Sequence, residues 1–278
     1  MMKKITLLFL VLFATTFTFA QKKEKIKGSK IVTHTIKKVE NFENIEIEDN
    51  VEIYLVKADS ASIEIEADDN LHDIVNFSVA GNTLRINTLK NVSGAKKFTI
   101  RINYAAQLTS ITAKNDSKIF ALNELQLENI TIKNFDDSSS FLNVNSGSFT
   151  LVLNDKSEAE INVKSQKTTL ELSKNTELKA LVASPAVKLD MYEKSKVKIE
   201  GDAENFKIRL DNNASLTADK FTAKNMDLTI EGYSKCEVNV VETIAITASG
   251  KTDIELYGEP KIDMKKFTNT ATLYKKEK

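Results

Sequence analysis

The chain has 278 residues, enough for one large domain or two smaller ones, and its 41% apolar and 28% charged content is that of a folded soluble protein rather than a disordered one. Its 39 basic residues balance 39 acidic ones, and the only arginines are Arg85, Arg101 and Arg209. Overall charge therefore gives no reason to expect a nucleic-acid partner, and forked recognition of phosphate or carboxylate groups is poorly supplied.

In chain order, the first element is a leader. Lys3 and Lys4 form a positive head, Ile5 to Phe13 an apolar core, and Thr18-Phe19-Ala20 a cleavage site, so residues 1–20 read as a signal peptide. The apolar stretch from Ile5 to Ala20 spans only 16 residues and includes threonines, short of the roughly 20 needed to cross a bilayer. Removal of the leader is expected to leave no transmembrane segment, a mature start at Gln21, and a protein exported to the periplasm, the outer surface or the medium. No cysteine follows the apolar core, which excludes a lipoprotein leader. The lysine-rich residues 21–38 are expected to be a flexible lead-in.

Residues 39–105 alternate as strands do: Ile45, Ile47, Ile53 and Leu55 against Glu46 and Glu52, then Ile63, Ile65 and Ala67 against Glu64 and Glu66. This predicts a β-rich N-terminal portion that begins and caps the stack formed by the rest of the chain. Its pattern is equally compatible with wide rungs and with an antiparallel sheet.

From residue 106 to 278 the alternation becomes periodic. Small residues at Ser117, Ser157, Thr176, Ser195, Ala214, Ser234 and Thr252 anchor a unit of about 19 residues. The first interval is 40, leaving room for one further unit near residues 136–140 whose register stays open. Positions six and four before each anchor, and two and four after it, are apolar in all 28 cases, where composition alone gives 11 or 12. A unit this short cannot bury its own apolar face, and stacked copies can. The predicted fold is therefore all-β: a right-handed parallel β-helix (β-solenoid) with ~19-residue rungs and a C-terminal cap. Eight rungs at a strand spacing of ~4.8 Å make a rod roughly 40 Å long. Each anchor points inward at a corner, where a hydroxyl can bond a backbone group freed by the bend. The residues two before the anchors, among them Asn115, Asp155, Asn212, Gly232 and Gly250, suit turn geometry.

Chemistry-bearing residues are sparse. His34, His72 and the single Cys236 provide no zinc-ligand spacing and no Cys-His nucleophile pair. Cys236 occupies an inward position and reads as a small core residue. The Asn and Asp corners lack the paired glycines of calcium-binding repeats, so no metal or other cofactor is expected. Carboxylates alternate with core residues and mix with lysines, so they nominate no catalytic set.

The segments Phe42-Glu43-Asn44-Ile45-Glu46-Ile47 and Gly81-Asn82-Thr83-Leu84-Arg85-Ile86, the serial small-polar corners and Tyr257-Gly258-Glu259-Pro260 together resemble the "putative auto-transporter adhesin" head domain called GIN, over residues 42–260. The resemblance implies an exported β-helical domain with an adhesive role and no established chemistry. The tripeptide Gly-Ile-Asn is absent, and 18 residues follow Pro260, too few for a translocator barrel.

The function expected is a non-catalytic, adhesin-like interaction module of the cell envelope that meets a glycan, a surface protein or copies of itself as a homo-oligomer. A polysaccharide-degrading β-helix enzyme and a purely structural envelope protein are the alternatives; ordered carboxylates in a groove favour the enzyme, and exposed aromatics over several rungs favour the interaction module. Tyr192 and Tyr233, outward near their corners, are the candidate binding residues, each offering a ring for stacking and a hydroxyl for bonding.

Overall fold

The computed structural model describes residues 23–277. The proposed leader, residues 1–20, lies outside them. The chain is a parallel β-solenoid, and its period is visible in the pairing register. Residues 139–146 pair with 158–165, and 177–183 with 196–202, each partner 19 positions on. Nine consecutive turns run from Ser110 to Lys275, with corners at Ser117, Ser138, Ser157, Thr176, Ser195, Ala214, Ser234, Thr252 and Ala271. That is one turn more than the sequence suggested. The strands expected to end in a cap, Lys261–Phe267 and Thr272–Lys275, are themselves a rung on the stack. In the central turns a second bend splits each long strand, seen where the inward parity changes between Ser146 and Phe149 and between Ser165 and Thr168; Val144, Val163 and Val182 stack in one buried column before it.

The corner has one recurring geometry. Two residues before each corner residue the backbone takes a positive φ: Asn115 at 58°, Asp136 at 59°, Asp155 at 67°, Asn212 at 58°. Asn, Asp and Gly tolerate this conformation, yet Lys174 (67°) and Glu193 (59°) adopt it too. At Gly250 a side chain has no room, since a Cβ would sit 2.4 Å from the carbonyl oxygen of Gly232 one rung away. The corner hydroxyls are all buried, but they divide into two groups. Ser117 donates to the Lys114 carbonyl (2.9 Å), and Ser157 to those of Asn154 (2.8 Å) and Asn134 (3.0 Å). Thr176, Ser195 and Thr252 have no protein partner among the described residues. Size selects those three, because each must fit a closed inner corner.

The turn whose register the sequence left open is centred on Ser138, and its core explains why. The positions that hold Leu153 and Ala159 in the next turn hold Asn134 and Ser140 here, both buried. Ser140 donates to the Asn134 side-chain oxygen at 2.9 Å, so the two polar groups satisfy each other inside the stack. Much of the rest of the interior is columns of aliphatic side chains, of which Ile111, Ile132, Leu151, Leu170, Leu189 and Ile208 form one. Cys236 is buried in the neighbouring wall, as its parity indicated, and burial pushes its thiol well up.

The N-terminal portion combines both arrangements that its sequence allows, rungs and antiparallel strands. Asn44–Ile47 and Glu52–Lys57 form a turn that stacks in parallel on Ser110–Ala113 and Lys118–Ala121. Thr83–Thr88 and Phe98–Tyr104 form the level beyond it, although they come later in the chain. Three antiparallel strands then close the end: Ser62–Asp68 on Phe98–Tyr104, Val32–Lys38 on Ser62–Asp68, and Val75–Ala80 on Thr83–Thr88. The stack thus begins near residue 44, within the N-terminal portion, and the regular 19-residue repeat follows it. The residues expected to be a flexible lead-in contain the outermost strand, Val32–Lys38, and a short one, Lys25–Lys27, paired with Asn91–Ser93. Their polar look has a cause. Thr33, Thr35 and Lys37 lie opposite the core residues Ala67, Ile65 and Ile63, so the polar side of this strand covers the end of the core.

Candidate ligand-binding face

Three half-buried aromatic rings stack on the outside of the wall just past the corner. Tyr54, Phe120 and Phe141 each sit three residues after their corner residue (Val51, Ser117, Ser138), so the register places them in one column. Tyr54 and Phe120 are 5.1 Å apart between ring centroids with planes 16° apart; Phe120 and Phe141 are 5.0 Å apart at 8°. All three are half-buried. The spacing is that of neighbouring strands, so the rungs themselves set the stacking distance. Each pair contributes about 0.5–1.5 kcal/mol beyond burial, which makes the stack a stabilising clasp as well as a surface.

Charged and amide groups flank it. Next to Tyr54 lies Arg101, whose guanidinium approaches Glu64 at 3.3 Å, while Asn103 donates to the same carboxylate at 2.7 Å. His34, expected in a linker, is on a strand with Nε2 3.5 Å from Glu64. Beyond Phe141 the column continues as Glu160, Lys179 and Lys198, so that ring has no aromatic neighbour on its far side. A groove along this wall is floored by Phe120 and Phe141 and edged by Asn143, Asn162 and the half-exposed Leu181. Its chemistry is rings and an apolar edge with amides and mixed charges, a set that can stack and hydrogen-bond. Among the described residues no three His, Cys, Asp or Glu side chains cluster to hold a metal.

Tyr192 and Tyr233 lie elsewhere. Both are exposed, Tyr233 at 68% and Tyr192 at 36%, but the register sets a complete rung between them. The Arg209 guanidinium covers the Tyr192 ring at 5.8 Å from its centroid. They are not brought into one site. The Tyr54–Phe120–Phe141 stack escaped the sequence because two of its three rungs, those of Val51 and Ser138, had no assigned register. A corner at Ser138 would have put Phe141 level with Phe120.

A family model described as "Putative auto-transporter adhesin, head GIN domain" matches residues 41–260. No curated protein matches. Three crystal structures share the fold over 91% of this chain. One is described as a "putative adhesin" from Parabacteroides distasonis, with 17% identity, 98% of its own chain covered and a TM-score of 0.68. Another, a "putative adhesin" from Parabacteroides merdae, has 17% identity, 99% coverage and a TM-score of 0.62. The third is called a "putative lipid binding protein", also from Parabacteroides distasonis, at 14% identity, 99% coverage and a TM-score of 0.61.

Proposed function

Because the chain belongs to the family of "putative auto-transporter adhesin" head GIN domains, we propose that it is a non-catalytic adhesion module, exported to the cell envelope, that binds a glycan along the wall carrying Tyr54, Phe120 and Phe141. The observation that carries this reading is the aromatic stack itself, three rings on successive levels at 5.0–5.1 Å beside a groove. Solenoids build extended binding faces from equivalent positions on successive rungs. The face of Phe141 turned away from Phe120, on the side of Glu160, can pack on the apolar side of a sugar ring, with Asn143, Asn162, Glu160 and Lys179 in reach of its hydroxyls. Tyr192 and Tyr233 remain a separate candidate surface.

A glycan array on the mature protein, followed by calorimetry, tests this. The double variant Phe120→Leu/Phe141→Leu keeps strand-compatible apolar side chains but removes the rings. It is expected to lose at least tenfold in affinity while its circular dichroism is unchanged. An array without hits, or a hit that binds the variant as tightly, overturns the assignment. Reducing-sugar release from a bound polysaccharide would instead establish the enzyme alternative.

A further inference from the structure

The two ends of the solenoid are finished differently. At the N-terminal end the last core residues, Ile63, Ile65 and Ala67, are covered by Lys37, Thr35 and Thr33 of the outermost strand. His72, in the short 3-10 helix Asp69–Ile74, bonds both threonine hydroxyls, at 2.8 and 3.0 Å. An inward-pointing lysine on an outermost strand is a device that blocks further strand addition. Lys37 is held there over the Phe77 ring, at 5.4 Å from its centroid.

Nothing equivalent finishes the C-terminal end among the described residues. Lys261–Phe267 pairs on one side only, with residues 243–248, and Thr272–Lys275 only with residues 253–256. The core-side residues of this last rung are apolar and open: Ile262 is 41% exposed, Met264 45% and Phe267 36%, whereas their counterparts one level inside, Ile244, Ile246 and Ala248, are fully buried. Two strand edges and an apolar triangle are therefore presented together, the arrangement that adds another strand layer.

We infer that this end is an interface for a second copy of the chain, formed between two C-terminal rungs. The occupant is identified by two observations. At the N-terminal end Val32–Lys38 and Val75–Ala80 also pair on one side only, but the core-side residues of the outermost strand are Thr33, Thr35 and Lys37, so that end offers the open apolar rung no apolar face, and the open end meets its own kind across a two-fold axis. The terminal strand also complements itself. Its outward side carries Lys261 and Asp263, with Lys265, at a register shift, paired to Asp263 at 2.5 Å. In an antiparallel pair centred on Ile262, residues 261–263 of the two copies pair, so that Lys261 of each lies opposite Asp263 of the other, Met264 meets Pro260, and the apolar side chains share one face. Such a pair would carry two aromatic stacks on one particle, which raises avidity without new contacts, although the dimer itself does not depend on what the stack binds.

Sedimentation or light scattering of the mature chain at micromolar concentration tests the inference, with the expected result a particle of twice the monomer mass. Ile262→Glu/Met264→Glu places charge on positions already exposed, and should give a monomer with unchanged circular dichroism. Ile36→Glu, at a residue 60% exposed on the opposite end, should leave the dimer intact. A wild-type monomer, a dimer that survives the C-terminal variant, an open-ended filament or a dimer broken by Ile36→Glu would each overturn it.

Discussion

The interleaved N-terminal region and the periodic remainder use the same strands to opposite ends. From Ser110 onward each strand pairs with its successor one turn later, so order along the chain and order along the stack coincide. Before it they do not: the turn at residues 44–57 sits between the level at 83–104 and the rung at 110–121. A periodic stack can stop anywhere, because each turn contacts only its neighbours. A closed end needs strands that leave the period, reverse direction and return. Closure of the core thus costs sequence regularity, which the N-terminal region gives up and the C-terminal rung does not.

The sharpest way to break the comparison is to remove a level from each region. Excising residues 176–194 takes out one whole turn of 19 residues and leaves 158–164 able to pair with 196–202 in the existing register. A folded protein with a near-native circular dichroism spectrum is expected, whereas removing only half of that turn should misfold the chain by turning core faces outward. Excising 83–104 removes the level on which Ser62–Asp68 and Val75–Ala80 depend. That chain should fail to fold cooperatively. Equal damage from both whole-level excisions, judged by thermal melting, would erase the distinction.

The next largest effect concerns Asp68, a buried carboxylate that ties the closed end together. Burial pushes its pKa up, but amide donations from Lys96, Lys30 and Lys97 outweigh this and hold the group below its ordinary value. A carboxylate with a depressed pKa stabilises the fold above its unfolded value, near pH 4, and that contribution is lost as pH falls through the folded value. Protection of the Lys30, Lys96 and Lys97 amides against hydrogen exchange, relative to their intrinsic rates, should therefore fall below about pH 4, ahead of protection in the central turns. Asp68→Asn should lower the melting temperature at neutral pH and flatten its dependence on acid. An unchanged acid profile in the variant would show that other groups secure this end.

Within the periodic part, Asn134 and Ser140 test how strictly the core must be apolar. Ser140→Ala leaves the buried Asn134 oxygen without its donor and should cost about 1–3 kcal/mol in denaturant unfolding. The double variant Asn134→Leu/Ser140→Ala, which restores the pattern of the neighbouring turns, should recover most of that. The smallest effects are at equivalent corner positions. Glu193→Asn should stabilise by up to about 1 kcal/mol, since asparagine accepts positive φ more readily. Gly250→Asn should destabilise, because its side chain meets the Gly232 carbonyl. The same direction of change at both corners would show that backbone preference and stacking clearance are not separable.

The sequence by itself made legible the all-β class, the 19-residue period, the inward face of the strands in the repeat and the seven corners from Ser117 to Thr252 that it named. Those features are local: alternation sets the face, and a small residue marks the bend. It did not determine the corner at Ser138, because Asn134 and Ser140 satisfy each other only across the interior, a pairing no pattern of single residues records. It did not determine that Val32–Lys38 is a strand, because a capping strand turns its polar side toward the core and so inverts the usual alternation. The Tyr54–Phe120–Phe141 stack depends on the interleaving as well, since it joins a turn of that region to two of the periodic one. Tertiary structure alone decided which strands become neighbours when chain order and stacking order part, because that choice is set by covering the end of the core rather than by any residue's own preference.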